Sequence, residues 1–319
     1  MVQIIGHRAY KGRGEYPENT LLAYDKAYEA GVDVIETDIQ MSKDGIVVIN
    51  HDSNTGRIYN NGFKIKGTTW SRLKYLHAKG HPDVTLPSFR DALEWLTRHK
   101  NVRLMVDVKL TNEKIILVKA LVDMLYVVDD LSYWRERIIF GLWSIDWYEY
   151  GVQTAVLKGF RIVNITLSLR TLDAFIKYSE ELDDPNYKLY GISLQFVSTW
   201  TREFQQKWLE FFRNSPIELY LWTVNKESDI KYLSHLPVAG IITDYPNEAC
   251  KNKEMWSAFN KLREFPCITT KEAFRIYCYL YIYKMVDAVA FSSWARFPVI
   301  GDRSFTKLCF SLLKKTHFI

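Results

Sequence analysis

The feature that most constrains the fold is an alternation of short apolar runs with longer amphipathic stretches, repeated eight times between residues 2 and 245. The runs are rich in β-branched residues, which favours strands, and the stretches between them space apolar residues three and four apart, which favours helices. Eight repeats are typical of a (β/α)₈ TIM barrel, and a doubly wound open sheet is the alternative. The predicted strands span residues 2–6, 34–39, 103–108, 138–141, 161–166, 191–194, 218–223 and 240–243, and predicted helices include 21–30, 115–127 and 204–212.

One interval interrupts this rhythm ahead of the third predicted strand. Residues 53–100 contain the turn-forming pair Asn61-Gly62 and further breakers at Gly67, Gly80 and Pro82, followed by a helical pattern at residues 88–98. Loops at the mouth of a barrel usually shape its substrate pocket. We therefore expect a barrel over residues 1–250 with a small insertion at about 53–100.

Carboxylates cluster where two of the predicted strands end. Glu36 and Asp38 are two residues apart, so their side chains point to the same face, and Asp107 and Lys109 repeat that spacing on the next strand. Side chains at the carboxyl ends of barrel strands meet at the catalytic mouth. Three converging carboxylates indicate an oxygen-rich site for one divalent cation, Mg²⁺ or Ca²⁺. The alternative is a set of rim salt bridges to Arg8 and Lys109.

Two histidines also stand at the ends of apolar runs. His7 follows the first predicted strand, and His51 follows the run at residues 46–49. A lone histidine is more often structural, but two beside a metal site are suited to be the acid and base of a phosphoryl transfer. Arg8 and Lys109 would then supply positive charge to the phosphate oxygens.

A series of short motifs connects these residues across the chain up to about residue 250. They are Gly6-His7-Arg8, Tyr16-Pro17-Glu18-Asn19-Thr20, the stretch from Gly31 to Asp38, Asp44-Gly45, Asn50-His51-Asp52, Thr85-Leu86-Pro87-Ser88, Asp107-Val108-Lys109, the stretch from Leu221 to Asn225, and the stretch from Ile241 to Pro246. Together they resemble the signature of the glycerophosphodiester phosphodiesterases. Within that family the chain is most similar to the fungal phosphatidylglycerol phospholipases C, on features that include Ala9, Trp143 and the ending Thr316-His317-Phe318.

The resemblance implies a metal-dependent phosphodiesterase and assigns roles to nine residues. They are the metal ligands Glu36, Asp38 and Asp107, the acid and base His7 and His51, the phosphate-binding Arg8 and Lys109, and the pocket residues Trp222 and Asn225. Two positions depart from the family's pattern. Ala9 replaces a usual glycine, and Asp107 replaces a common glutamate, so the resemblance does not choose between Mg²⁺ and Ca²⁺.

The tail, residues 271–319, differs from the barrel and follows a predicted linker at residues 251–270. From Lys271 onward there are eight Lys or Arg and three Asp or Glu, which accounts for the whole net charge of +5, and eleven of the 49 residues are aromatic. Residues 305–318 form a basic amphipathic helical pattern suited to a membrane interface. Packing on the barrel or a dimer contact is the alternative, and the sequence predicts no oligomeric state.

The placement of charge and cysteine bears on partners and location. Positive charge concentrated in a tail, away from the predicted site, favours an anionic membrane and a phospholipid substrate, and it argues against nucleic acid. The amino terminus lacks a secretory pattern, and the four cysteines show no paired motif, so we expect free thiols in a reducing compartment. The expected location is an intracellular membrane surface, such as endoplasmic reticulum, lipid droplet or mitochondrion, and not outside the cell.

Three functions are compatible with these observations. The first is hydrolysis of phosphatidylglycerol in phospholipase C fashion to diacylglycerol and glycerol 3-phosphate, which the tail favours. The second is hydrolysis of deacylated glycerophosphodiesters to glycerol 3-phosphate and an alcohol. The third is a lipid-binding barrel without catalysis, or a phospholipase D-like relative, and the complete set of acid, base and metal ligands argues against an inactive barrel.

Overall fold

The computed structural model describes residues 2–233, 235–253, 270–290, 298–300 and 303–304. The described strands are β1 (Gln3–Gly6), β2 (Val34–Met41), β3 (Val47–Ile49), β4 (His77–Ala78), β5 (His81–Thr85), β6 (Arg103–Val108), β7 (Ile138–Leu142), β8 (Arg161–Thr166), β9 (Leu189–Gln195), β10 (Glu218–Trp222), β11 (Gly240–Thr243), β12 (Pro298–Ile300) and β13 (Arg303–Ser304). The described α-helices are α1 (Leu21–Glu29), α2 (Trp70–Leu73), α3 (Phe89–Arg98), α4 (Ile116–Val127), α5 (Leu131–Arg137), α6 (Ile145–Gln153), α7 (Leu169–Glu181), α8 (Leu209–Asn214), α9 (Glu227–Leu233), α10 (Pro246–Lys251) and α11 (Lys271–Ala290).

Eight parallel strands close into a ring in the order β1, β2, β6, β7, β8, β9, β10 and β11. Closure is direct, because β1 pairs in parallel with both β2 and β11. An open doubly wound sheet would leave two unpaired edges, so the closed ring excludes it and confirms the predicted (β/α)₈ TIM barrel. Each predicted strand coincides with one barrel strand.

The side chains of the barrel strands alternate between two cores, as the two-residue period of a strand requires. The lumen holds one layer of apolar side chains, and the opposite faces pack against the surrounding helices in the main core. The lumen layer consists of Ile5, Val34, Met105, Ile139, Val163, Tyr220 and Ile242. Val34 shares its face with Glu36 and Asp38, so the polar site lies directly above this apolar floor.

Two of the helical segments differ in detail from the expectation. The segment predicted at residues 204–212 is a π-helix, Phe204–Trp208, that continues into α8. Helix α3, expected with the insertion, packs in the main core through Phe89 and Trp95. Its start is fixed by a capping box in which Ser88 and Asp91 exchange hydrogen bonds.

The insertion lies between β3 and α3 and has a small core of its own. It contains the β4–β5 antiparallel pair and helix α2. Its core is formed by Val48, Tyr59, Ile65, Leu73, Leu76, Ala78 and Leu86. The insertion is therefore a compact unit that stands beside the barrel mouth, where β2 and β3 end.

The longest described element of the tail is helix α11, which packs on the barrel with one face. Ile276 and Tyr283 are buried in the main core, and Arg275 forms a salt bridge of 2.5 Å with Asp229 of α9. No helix in the described residues is long and apolar enough to cross a bilayer. The predicted amphipathic helix at residues 305–318 lies outside the described residues, as does most of the predicted linker. Cys250 and Cys278 are free thiols.

The fit of Tyr220 in the lumen depends on a glycine on the neighbouring strand. A Cβ atom at Gly191 would lie 2.9 Å from the Glu218 carbonyl oxygen and 3.0 Å from the Tyr220 ring. We expect Gly191→Ala to lower the free energy of unfolding by about 1–3 kcal/mol, because the strand backbone cannot yield to the added methyl group. Denaturant unfolding measures the change.

The matched control is Gly67→Ala, where the nearest atom to an added Cβ is 3.9 Å away. That variant should stay within about 0.5 kcal/mol of the parent protein. Equal stability of the two variants would contradict the proposed packing of the lumen.

Candidate active site

The carboxylates predicted to bind a metal meet at the mouth of the barrel. Strands β2 and β6 are neighbours in register, with Asp38 opposite Asp107, and Glu36 lies one pleat below Asp38. All three carboxylates are buried, and their oxygen atoms lie within 4.8 Å of one another. The two-residue spacing of Glu36 and Asp38 therefore places both side chains at the barrel mouth, as expected from the sequence.

Each carboxylate is oriented by a donor from a different residue. The backbone N–H of Arg8 donates to Glu36 at 2.7 Å, the Asn19 amide donates to Asp38 at 2.6 Å, and the Trp143 indole N–H donates to Asp107 at 2.7 Å. These donors come from the loop after β1 and from the loop after β7. The carboxylates are thus held in place by hydrogen bonds that leave other lone pairs free to bind a cation.

The loop after β1 reaches the carboxylates through an uncommon backbone path. Arg8, Ala9 and Asn19 have φ values of 51°, 69° and 59°, in the left-handed region. The Ala9 carbonyl passes so close to Gly6 that a Cβ atom there would lie 2.1 Å from it. Gly6 is therefore needed for this close approach, and Ala9 adopts a conformation that would be unstrained for the glycine usual in similar sequences.

Lys109 lies among the carboxylates. Its Nζ atom is 2.6 Å from Asp38 and 2.5 Å from Asp107, and it is 5.7 Å from the Trp143 ring centre. The Asp107–Lys109 pair is one of the rim salt bridges considered as the alternative from the sequence, whereas Glu36 contacts the Arg8 backbone N–H. This salt bridge coexists with the carboxylate cluster. A lysine in this position can neutralise part of the cluster or turn toward a phosphate oxygen.

The charge in the cluster is not balanced by its cationic neighbours. Burial, followed by repulsion from Asp38 and Asp107, raises the pKa of Glu36 well above its usual value. Burial also raises the pKa of Asp107, whereas Lys109, His51 and Arg8 overcome burial and lower the pKa of Asp38. Three buried carboxylates that repel one another fit a divalent cation, and an all-oxygen ligand set suits Mg²⁺ or Ca²⁺.

Both predicted catalytic histidines are held by carboxylates through the same ring atom. His7 Nδ1 is 2.7 Å from Asp244, and His51 Nδ1 is 3.0 Å from Asp52. Because Nδ1 faces a carboxylate, Nδ1 carries the proton and the Nε2 lone pair is left for the substrate. Burial lowers the pKa of His7, and burial followed by Lys109 lowers the pKa of His51 to about 3. Burial therefore disfavours the charged form of both rings, and a ring that is neutral can accept a proton at Nε2.

Arg8 presents a donor without a hydrogen bond to the site. Its Nη1 atom donates to Glu18 at 3.0 Å, and Glu18 also accepts from Arg57 of the insertion at 2.6 Å. Arg8 Nε is buried, lies 3.8 Å from Asp38 in an ion pair, and has no hydrogen-bond partner within the described residues. A buried guanidinium N–H without a hydrogen bond is costly, so this atom could donate to a phosphate oxygen, and its predicted role stays a prediction.

The two predicted pocket residues have different surroundings. Asn225 donates to Asp244 at 2.7 Å and accepts from the Asp244 backbone N–H at 2.9 Å, so it orients the partner of His7. The Trp222 indole donates to the Ser193 carbonyl at 2.9 Å, and its ring packs edge-on against Trp143. Asn225 lines the main cavity at the mouth, whereas Trp222 packs beside the lumen core.

Four residues that complete the site received no role from the sequence. They are Asn19, Asp52, Trp143 and Asp244. Each stands in a motif quoted above or at a strand end. Their closeness in sequence to predicted site residues could therefore have indicated a role. Their partners follow from tertiary contacts alone. His7 and Asp244, for example, are 237 residues apart in the chain.

A barrel mouth with three carboxylates that could hold a cation, two carboxylate-bound histidines and an arginine is suited to the hydrolysis of an anionic ester. The sequence profile of the Glycerophosphoryl diester phosphodiesterase family matches residues 7–248. The chain therefore belongs to this family and is a phosphoric diester hydrolase.

Individual relatives agree with the family. The glycerophosphodiester phosphodiesterase of Bacillus altitudinis is 28% identical over 275 residues, which cover 80% of this chain and 99% of that protein. The human lysophospholipase D GDPD1 is 24% identical over 276 residues, covering 76% of this chain and 83% of that protein.

Solved structures share the fold. A phosphodiesterase from Oleispira antarctica, in complex with the product sn-glycerol-3-phosphate, has a TM-score of 0.64 at 19% identity and covers 79% of this chain and 96% of its own. A glycerophosphodiester phosphodiesterase from Agrobacterium tumefaciens has a TM-score of 0.60 at 18% identity, covering 79% and 100%. At these identities the similarity shows the barrel fold.

The His7–Asp244 pair yields a direct test of the histidine's role. In Asp244→Asn the amide can donate to Nδ1, which would move the proton to Nε2 and remove the base. We expect kcat to fall by about 10²–10⁴-fold with little change in folding. Steady-state rates and circular dichroism check the two parts.

The matched control is Asp173→Asn on α7, whose carboxylate pairs with Lys177 and Lys207 on the outside of the barrel. It should keep the parent rate. A near-normal kcat for Asp244→Asn would remove the pair from the mechanism.

Proposed function

We propose that this chain hydrolyses glycerophosphodiesters to glycerol 3-phosphate and an alcohol. The observation that carries the proposal is the pair of histidines, each bound by its own carboxylate, at the mouth that also holds the carboxylate cluster. One carboxylate-bound histidine is enough for a base. Two allow a proton to be removed from the nucleophile and another to be delivered to the leaving oxygen, as phosphodiester cleavage requires.

The residues divide the reaction between them. Arg8 Nε and the Lys109 ammonium bind the non-bridging phosphate oxygens. One histidine enters the step neutral and accepts the proton of the nucleophile on Nε2 as the nucleophile's oxygen bonds to phosphorus. The other enters protonated on both ring nitrogens and gives its Nε2 proton to the alcohol oxygen as the P–O bond breaks. Asp52 and Asp244 stabilise whichever imidazole is protonated at each stage. A divalent cation held by the three carboxylates would supply Lewis acidity toward the phosphate.

The nucleophile has two candidates. It is either water or the 2-hydroxyl of the glycerol unit, which would form a cyclic phosphate that water then opens. Both routes need the same acid and base and give glycerol 3-phosphate. In either route the nucleophile enters opposite the leaving alcohol oxygen, so the orientation of the bound substrate decides which of His7 and His51 is the base.

A second candidate is the cleavage of phosphatidylglycerol in phospholipase C fashion to diacylglycerol and glycerol 3-phosphate. It is supported by helix α11, whose outer face exposes Phe274, Tyr277, Tyr281 and Met285, with Phe274 70% and Tyr281 68% exposed. The inner face of the same helix contributes Arg275 and Tyr279 to the cavity at the mouth. An aromatic stripe beside the substrate entrance suits an intracellular membrane surface, with the tail's positive charge facing anionic lipid.

One assay separates the two candidates. The full chain is incubated with glycerophosphoglycerol and, separately, with phosphatidylglycerol vesicles, in the presence of Mg²⁺ or Ca²⁺, and products are identified by phosphorus NMR and lipid extraction. We expect glycerol 3-phosphate from glycerophosphoglycerol, and its loss in His7→Ala and His51→Ala.

The outcomes decide between the readings. Diacylglycerol from vesicles at a kcat/KM at least equal to that of the soluble diester would make the phospholipase C reading the better one. Absence of glycerol 3-phosphate from both substrates would refute both.

A further inference from the structure

The cavity at the barrel mouth extends beyond the catalytic residues. It has a volume of about 640 Å³, within the range of roughly 300–1,000 Å³ that accommodates drug-sized ligands. Its walls come from six segments, namely the loops after β1, β9, β10 and β11, the insertion and helix α11. His7 and Arg8 stand at its inner end. A substrate whose phosphate contacts Arg8 therefore has room for a large group on the far side.

This cavity is strongly basic. Seven lysine and arginine residues line it, against three acidic residues. Each of the three acidic residues already contacts cationic or neutral donors. Glu18 binds Arg8 and Arg57, Asp229 binds Arg275, and Asp244 binds His7, Asn225 and Lys11.

The positive charge left over lies at the outer part of the cavity. Arg13 of the loop after β1 and Lys226 of the loop after β10 are exposed, and neither forms a salt bridge within the described residues. Lys79 of the insertion contacts no carboxylate there either, and its ammonium donates to the Gly56 carbonyl at 2.6 Å. Three loops thus direct unneutralised cations toward one space.

This group of cations is separate from the phosphate-binding residues of the reaction. The metal ligands belong to β2 and β6, and β10 lies opposite β6 in the ring of eight strands. Lys226 follows Asn225, the residue that orients Asp244, so it is one step outward from the His7 side of the site. A substrate that spans from Arg8 to Lys226 must carry negative charge at both ends to use both groups of cations.

We propose that Arg13, Lys79 and Lys226 form a second anion subsite, so that the preferred substrates are glycerophosphodiesters whose alcohol part carries a further phosphate. This inference rests on the proposed hydrolysis of glycerophosphodiesters and adds the chemical class of the alcohol. The alternative occupant is a quaternary ammonium, because four aromatic rings, Tyr16, Phe196, Tyr245 and Tyr279, also line the cavity. The three cations without a carboxylate partner in the described part of the chain, Arg13, Lys79 and Lys226, repel such a group, so the charge favours the phosphate.

The test compares three soluble diesters at low salt. Glycerophosphocholine has a cationic alcohol, glycerophosphoglycerol a neutral one, and bis(glycerophospho)glycerol a second phosphate. We expect kcat/KM to rise in that order, by about tenfold from first to last, and the differences to shrink as salt screens the exposed cations. Diacylated counterparts of the last two, in neutral detergent micelles, show whether the second phosphate comes from a soluble or a lipid source.

Substitutions test whether Arg13 and Lys226 cause the preference for a second phosphate. Arg13→Gln with Lys226→Gln should lower kcat/KM for bis(glycerophospho)glycerol about tenfold and leave that for glycerophosphoglycerol within about twofold. Lys100→Gln, at an exposed position that precedes β6 at the opposite end of the barrel, is the matched control and should change neither value.

Equal kcat/KM for the two anionic substrates in both the soluble and micellar arms, or the highest value for glycerophosphocholine, would overturn the subsite while leaving the proposed hydrolysis intact. Absence of turnover of any diester would overturn the hydrolysis and the subsite together.

Discussion

The main physical constraint on the active site is the repulsion among three buried carboxylates on two adjacent strands. Glu36, Asp38 and Asp107 have oxygen atoms within 4.8 Å of one another, and burial together with mutual repulsion raises the pKa of Glu36 well above its usual value. The surrounding residues reduce this cost without removing it. Lys109 bridges two of the carboxylates, and donors from two loops orient all three. The cluster therefore keeps an excess of negative charge, which a divalent cation can neutralise.

The barrel mouth is divided between catalysis and recognition. Strands β2 and β6 carry the carboxylates, and β1 and the segment after β3 carry the histidines. The loops after β1, β9, β10 and β11, together with the insertion and helix α11, line a basic cavity that extends outward from His7 and Arg8. The catalytic residues carry the chemistry of the family, whereas the outer part of the cavity is made of segments whose length and charge can vary independently of that chemistry.

Much of the fold and the site could be predicted from the sequence because both rest on short-range periodicity. The two-residue repeat of a strand placed Glu36 and Asp38 on one face, and eight strand–helix units favoured a barrel over an open sheet. The pairing of His7 with Asp244 could not be predicted, since it depends on closure of the ring between β1 and β11. The charge of the cavity was also hidden, because residues before the tail have balanced charges in sum and only the fold collects the cations on one rim.

Thermal unfolding of the parent protein and Glu36→Gln, each with chelator and with Mg²⁺ or Ca²⁺, tests the central claim most directly. Saturation at 100 times Kd stabilises a folded protein by about 2.7 kcal/mol. For a domain of this size that raises the Tm by roughly 5–10 °C. The account predicts this rise for the parent protein alone, and a Tm for Glu36→Gln in chelator at least equal to that of the parent, because a repelling charge has been removed. A parent Tm that does not respond to either cation, together with a less stable Glu36→Gln, would contradict it.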